Sequence, residues 1–387
     1  VHFCVFRGYG LIMDQSSSNV VSRWPHRWAV VLACATFPLL WVGGLVTTTD
    51  AGMAVPDWPT TYGYNLFLYP WSTWLAGPWD LFVEHGHRLL GATVGMITIG
   101  LVVAVWRSDG RRWMRGLALA ALVLVVFQGV LGGLRVRLDE RTLAMLHGIT
   151  GPLFFAVAVA MVVFTSRRWQ LDADRSSFKA ALREGDHPQA DGARPRLLRR
   201  LRKRGLSPSG FETPTQFNQA GGHIGRLAVV TCILVYLQIV LGAVLRHVPV
   251  AAEPGTFALA VRFHLFMAGI VTLHVAMLAW RVLRHGRVSP LRGLAFALVG
   301  LLFAQLLLGA GTWIVKFSAP SWAAGWVSTG FAIQDGGWLQ THVITAHVAV
   351  GSLLLATSLA MALFAQRLLP SPVAVSTVTA HRLEAAI

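Results

Sequence analysis

Charge is scarce in this chain: Asp, Glu, Lys and Arg make up 13% of its 387 residues, against 55% hydrophobic residues and a mean hydropathy of +0.57. A soluble globular chain carries about 25% charged residues, so a single water-soluble globule is excluded and a polytopic membrane protein is implied. Acidic residues are the scarcer sign, 17 against 33 Lys and Arg, giving a formal net charge of +16. A nucleic-acid binder could carry that excess. Here the basic residues stand between apolar runs, so membrane topology accounts for them and no nucleic-acid partner is expected. Cysteine is limited to Cys4, Cys34 and Cys232, which share no metal-ligand spacing, and the last two lie inside apolar runs. A disulfide framework and a cysteine-based zinc site are thereby excluded. Residues 1–22 lack the basic start, long apolar stretch and cleavage site of a secretory signal, and the Arg-rich amphipathic character of a transit peptide. They are expected to be a loose tail, with Met13 as an alternative start.

What the chain has in abundance is long apolar runs. Crossing a bilayer takes about 20 helical residues, and runs of that order lie near 28–47, 87–106, 116–134, 147–166, 227–245, 263–283, 293–315 and 343–366. The expected fold is an all-α polytopic membrane protein with eight transmembrane helices. Arg23 and Arg27 precede the first run, Arg107, Arg111, Arg112 and Arg115 separate the second from the third, and Arg281, Arg284, Arg287 and Arg292 separate the sixth from the seventh. The positive-inside rule makes that side cytoplasmic and places both termini there. The segment "RPRLLRRLRKRGLSPSG", within 167–226, reads as a basic cytoplasmic linker that also touches anionic lipid. The expected organisation is a tail over 1–27, a four-helix bundle over 28–166, the linker, a second bundle over 227–367 and a tail over 368–387.

The two bundles echo each other. Odd-numbered spans start at an Arg and carry a Gly at nearly constant depth: Arg27 and Gly43, Arg115 and Gly132, Arg226 and Gly242, Arg292 and Gly309. Three of them also read Gln-x-x-Leu-Gly, at Gln128, Gln238 and Gln305. Such glycines suit close helix packing, while an amide in lipid must find a partner. In every even-numbered span a His stands 20 residues ahead of an Arg: His87 and Arg107, His147 and Arg167, His264 and Arg284, His347 and Arg367. Twenty helical residues rise about 30 Å, the thickness of the hydrocarbon core. The four histidines therefore share one depth near the external face, two in each bundle.

A lone membrane histidine is most often a packing residue. Two at one depth in each bundle instead suit axial ligation of a haem iron by neutral imidazoles from facing helices, with Gly86, Gly91, Gly148 and Gly151 leaving room for a flat macrocycle. Zinc would need ligands that converge, and these are split between bundles. His342 lies near His347 but breaks the 20-residue spacing and ranks second. His274 lies deeper and reads as a packing or relay residue, His85 points away from His87, and His223 and His247 read as interface residues. Glu84, three residues before His87, has no counterpart in the other even spans. It is either an exposed carboxylate or Arg88 partner, or a general base beside a haem edge. That asymmetry suggests chemistry in the first bundle and electron transfer in the second.

On "GGLVTTTDAGMAVPDWPTTYG", "EHGHR" and "QGVLGGLRVR" leading into "LHGITG", the chain resembles the haem A synthase family, the Cox15/CtaA group, over most of 28–367. The resemblance implies a multi-pass oxidoreductase of the bacterial cytoplasmic (inner) membrane that serves cytochrome oxidase assembly. It would oxidise a ring methyl of haem O to a formyl group through successive hydroxylations, giving haem A. Carried over by position, His87 and His147 hold the substrate haem, Glu84 is the catalytic carboxylate, and His264 and His347 ligate the iron of a cofactor haem b. Haem O synthase, assembly factors of cytochrome oxidase and membrane lipid are the implied partners. Two departures stand out: the loop after the first span lacks the cysteine pair of many bacterial members, and "VTTTDAG" lacks the family's common Arg. Propionate contacts would then fall to Arg88, Arg135, Arg137 or Arg246. The competing reading is a di-haem b-type cytochrome that only carries electrons, which has no need of Glu84.

Overall fold

The computed structural model describes residues 22–170, 214–249, 252–285, 289–318 and 336–369. Most of the basic linker and the outermost part of both tails lie outside the described residues. Among the described residues the chain is all-helical, with eight helices long and apolar enough to cross a membrane, so this is a multi-pass membrane protein. In chain order the α-helices are α1 (Trp24–Thr48), a short α2 (Trp71–Leu75), α3 (Trp79–Ser108), α4 (Arg112–Leu138), α5 (Arg141–Thr165), α6 (Pro214–Arg246), α7 (Pro254–His285), α8 (Ser289–Phe317) and α9 (Trp338–Leu368).

Lipid offers no water to the backbone, so each spanning segment satisfies its peptide groups internally as a helix. Hydroxyls are absorbed the same way: Thr36 donates to the Leu32 carbonyl at 2.7 Å, Thr48 to Gly44 at 2.7 Å and Thr98 to Val94 at 2.8 Å. Hydropathy alone placed all eight helix starts too late, by the most in α6 (run from 227, helix from Pro214) and by more than a turn in each of the four spans that carry the matched histidines. In those four the runs begin at 87, 147, 263 and 343, whereas the helices begin at Trp79, Arg141, Pro254 and Trp338. Their first turns carry polar residues that an interface tolerates, so the helices continue past the apolar stretch. Each of the four histidines consequently lies roughly two turns inside its helix.

Helices α1, α3, α4 and α5 pack in a ring in that order, and α6, α7, α8 and α9 form a second ring. The rings meet where α9 packs on α1 and α5, and where α5 packs on α6. Gly44 permits this approach, since a methyl there would lie 3.0 Å from Cγ2 of Thr345. At the arginine end each ring is closed by apolar side chains: Leu32, Leu101, Met114 and Met161 in the first, Leu278, Leu291, Leu298 and Met361 in the second. All eight are fully buried. The opposite end of each ring is where the histidines stand.

Candidate functional site

His87 on α3 and His147 on α5 face each other across the first ring, with ring centroids 6.2 Å apart and planes at 87°. His264 on α7 and His347 on α9 do the same across the second, at 6.4 Å and 64°. Each imidazole lies on a glycine of the neighbouring helix. A methyl on Gly43 would come 2.9 Å from Cε1 of His87, one on Gly132 3.2 Å from His147, one on Gly242 3.2 Å from His264, and one on Gly309 3.1 Å from His347. In sequence these glycines read as helix packing; in space they are the beds on which the four rings lie. The signal was present, because both the glycines and the histidines recur at constant depth.

The glycines proposed to leave room for a macrocycle divide. Positions 91 and 148 are open, with only Cε1 of His247 at 4.0 Å from a methyl on Gly148. Gly86 and Gly151 instead pack against Trp74 and Leu40, at 3.4 and 3.3 Å. Those two serve side-chain packing.

Polar partners differ from ring to ring. Nδ1 of His147 donates to the Gln128 carbonyl at 3.1 Å, which fixes the tautomer and leaves Nε2 with a free lone pair. Among the described residues, Nδ1 of His87 and of His347 are buried without a hydrogen-bond partner. The amide nitrogens of the three glutamines find partners: Gln128 donates to Thr150, Nε2 of Gln238 lies 3.2 Å from both ring nitrogens of His264, and Nε2 of Gln305 lies 3.4 Å from Nε2 of His347, while Oε1 of Gln238 and of Gln305 is buried without a partner among the described residues. In α1 the corresponding position, four before Gly43, is Leu39.

Three further histidines stand apart from both pairs. His342 packs on Trp338 at 4.5 Å and stacks on Trp41 at 6.3 Å. His274 bonds back to the Ile270 carbonyl at 2.9 Å. His85 is buried between Tyr69 and Trp74, with Nδ1 3.0 Å from the Thr61 hydroxyl.

Glu84 is 2% exposed, which rules out a carboxylate in open water. Its Oε1 meets Nη2 of Arg88 at 2.8 Å, and its Oε2 accepts the Val55 N–H at 2.8 Å. Arg88 also donates to the carbonyls of Val55 (2.7 Å), Asp57 (2.6 Å) and Thr60 (2.9 Å). The pair thus latches the loop containing Pro56–Pro59 onto α3. Asp57 builds the turn by accepting the Tyr62 and Gly63 N–H groups at 2.8 and 2.9 Å, and the indole of Trp58 fills the space where a side chain on Gly133 would lie. Burial raises the Asp57 carboxyl pKa, but the bonds from Gly63, Thr60 and Tyr62 outweigh it and hold the group below its usual range.

The chemistry these pairs can support follows from their spacing. Two metal–imidazole bonds of about 2 Å, plus about 1 Å from each nitrogen to its ring centre, put collinear axial rings roughly 6 Å apart. Both pairs have that centroid separation, so each would suit a single iron held by its two imidazoles. A closed metal cage does not fit, because the described residues contain no group of three or more His, Cys, Asp or Glu able to hold an ion.

Residues 79–185 match the COX15-CtaA family, described as cytochrome oxidase assembly protein. The chain is 28% identical over 172 residues to a protoheme IX farnesyltransferase of Halobacterium salinarum, covering 44% of this chain and 35% of that protein. It is 30% identical over 138 residues to a heme A synthase of Shouchella clausii, covering 35% and 44%. With the human heme A synthase COX15 it shares 28% over 149 residues, covering 32% and 36%. The matched segments thus span between a third and a half of these relatives' lengths.

Proposed function

We propose, for a chain that belongs to the COX15-CtaA family through residues 79–185, that it oxidises the ring methyl of haem O to the formyl group of haem A. The observation that carries this reading is the buried Glu84 one helical turn from His87, beside a histidine pair spaced for one iron. His87 and His147 bind the substrate haem; His264 and His347 hold a resident haem b. When bound, haem b supplies one-electron transfer. Glu84 keeps a second lone pair on each oxygen after bonding Arg88 and Val55, so it can take a proton while those partners fix its position. The latched loop over 55–61 limits water at that mouth. Haem O synthase fits as the source of the substrate, and cytochrome oxidase assembly factors as receivers of the product. The site lies at the external face of the bacterial inner membrane, with both termini cytoplasmic.

The near-equal separations of the two pairs, 6.2 and 6.4 Å, favour a second reading, a di-haem cytochrome that only carries electrons. Glu84→Gln separates the two. It keeps the shape and the acceptor for Arg88 but removes basicity. The variant should retain haem b and bind haem O, yet accumulate haem O or a hydroxylated intermediate, identified by mass. Haem A formation at the normal rate would favour the electron carrier.

A further inference from the structure

Five arginines stand near the histidine end of the first ring, and their partners sort them; Arg141, at the start of α5, is exposed. The guanidinium of Arg88 is committed to Glu84 and three loop carbonyls. Arg137 is exposed and faces the Trp58 carbonyl at 3.4 Å. Arg135 and Arg246 are different: both are half-buried, and neither has a carboxylate within ion-pair distance among the described residues. Arg135 donates to the Gly52 carbonyl at 3.1 Å, and Arg246 to the Gly44 carbonyl at 3.1 Å and the Thr48 hydroxyl at 2.6 Å. A guanidinium has five donors in a planar fork that matches a carboxylate. A half-buried cation whose direct hydrogen bonds go only to neutral groups loses hydration without an ion pair in return.

Position links both to the first histidine pair. Arg135 lies on α4 three residues after Gly132, about one helical turn beyond the glycine on which His147 lies. Arg246 comes from α6 of the second ring, but its hydrogen bonds end on α1 at Gly44, the residue after the glycine on which His87 lies. His247, the residue after Arg246, joins them: its Cε1 would lie 4.0 Å from a methyl on Gly148, the neighbour of His147, and its Nδ1 bonds back to the Ala243 carbonyl at 2.8 Å.

We infer that Arg135 and Arg246, with His247 beside them, form a carboxylate-binding site that takes the two propionate groups of the haem held between His87 and His147. The inference rests on the haem reading of that pair. It makes the second ring contribute Arg246 and His247 to the first ring's ligand site. Bidentate arginine contacts to the carboxylates orient the macrocycle about the axis between the two imidazoles, and so decide which ring edge is turned toward Glu84.

The test uses the intact protein with its second site filled, and optical titration of the first site with iron protoporphyrin IX and with its dimethyl ester, which lacks both carboxylates. Hydrogen bonds to charged groups are each worth about a factor of ten or more in binding, so the free acid should bind at least about tenfold more tightly than the ester. Arg135→Gln and Arg246→Gln should each weaken the acid about tenfold and leave the ester unchanged, while Arg135→Lys, which keeps the charge, should fall between. The spectrum of the resident haem reports whether each variant is folded. Equal binding of acid and ester, or equal loss of both in the variants, would overturn this site alone. Failure of both probes to bind above the resident haem would overturn the site together with the haem reading of His87 and His147.

Discussion

The two histidine pairs have nearly the same geometry and very different surroundings. Both place imidazoles about 6 Å apart on glycine beds, at the same end of a four-helix ring. Around the second pair two glutamine amides lie against the rings. Around the first, leucine replaces one glutamine and Gln128 turns its amide to Thr150, while a buried carboxylate, a latched loop and two arginines without carboxylate partners crowd the mouth. On the proposed reading, ligand geometry alone therefore does not separate a resident cofactor from an exchangeable substrate. What separates them is what surrounds the pair, because it governs proton transfer, water access and anchoring of ligand charge.

Removing ligands should break the comparison most sharply. His264→Ala or His347→Ala should abolish the low-spin spectrum of the resting protein, whereas His87→Ala or His147→Ala should leave it and abolish turnover; His342→Ala should change little. Loss of the resting spectrum in the His342 variant with retention in the His347 variant would reassign the ligand.

A smaller but still large effect is expected at the latch. Breaking a buried ion pair costs about 3–5 kcal/mol, and Arg88 and Glu84 side chains are 10% and 2% exposed. Arg88→Ala should lower the thermal midpoint and open the loop around Trp58 to proteolysis, without altering the second-site spectrum. An unchanged cleavage rate would show that the loop is held by Trp58 and Asp57 alone.

The glycine beds sharpen the comparison further. Overpacking costs about 1–3 kcal/mol, and the side chain would press directly on the ring. Gly309→Val should displace the resident haem, and Gly132→Val should spare it while lowering activity. Identical effects of the two variants on the resident haem would contradict a separate role for each pair.

The smallest effect concerns acid. Because the Asp57 pKa is lowered on folding, the stability it contributes is present above its ordinary value of 3.8 and is lost as pH falls through the lowered one. Asp57→Asn should therefore be less stable than the parent near neutral pH, with the gap closing below about pH 4. A gap that stays constant to low pH would exclude the carboxylate charge as its source.

Much of the fold was legible because lipid simplifies the code: scarce charge and eight apolar runs leave few architectures. The facing of His87 with His147, and of His264 with His347, follows from a shared depth that a constant 20-residue offset to arginine makes visible. What sequence missed were relations across helices. Gly43, Gly132, Gly242 and Gly309 looked like packing glycines because nothing in a one-dimensional pattern says which side chain comes to rest on them. Glu84 could be placed on the face of His87, but its enclosure by Arg88 and the Val55 amide depends on a loop whose path apolar periodicity does not encode. The reach of Arg246 into the first ring was equally invisible, since it joins residues some two hundred positions apart.

The most direct test of the account is the identity of the haems the purified protein carries before and after haem O is supplied. The account predicts one haem b per chain that persists throughout, and conversion of the added haem O to a hydroxylated species and then to haem A. Two haem b per chain, with added haem O recovered unchanged, would contradict it and make this chain an electron carrier.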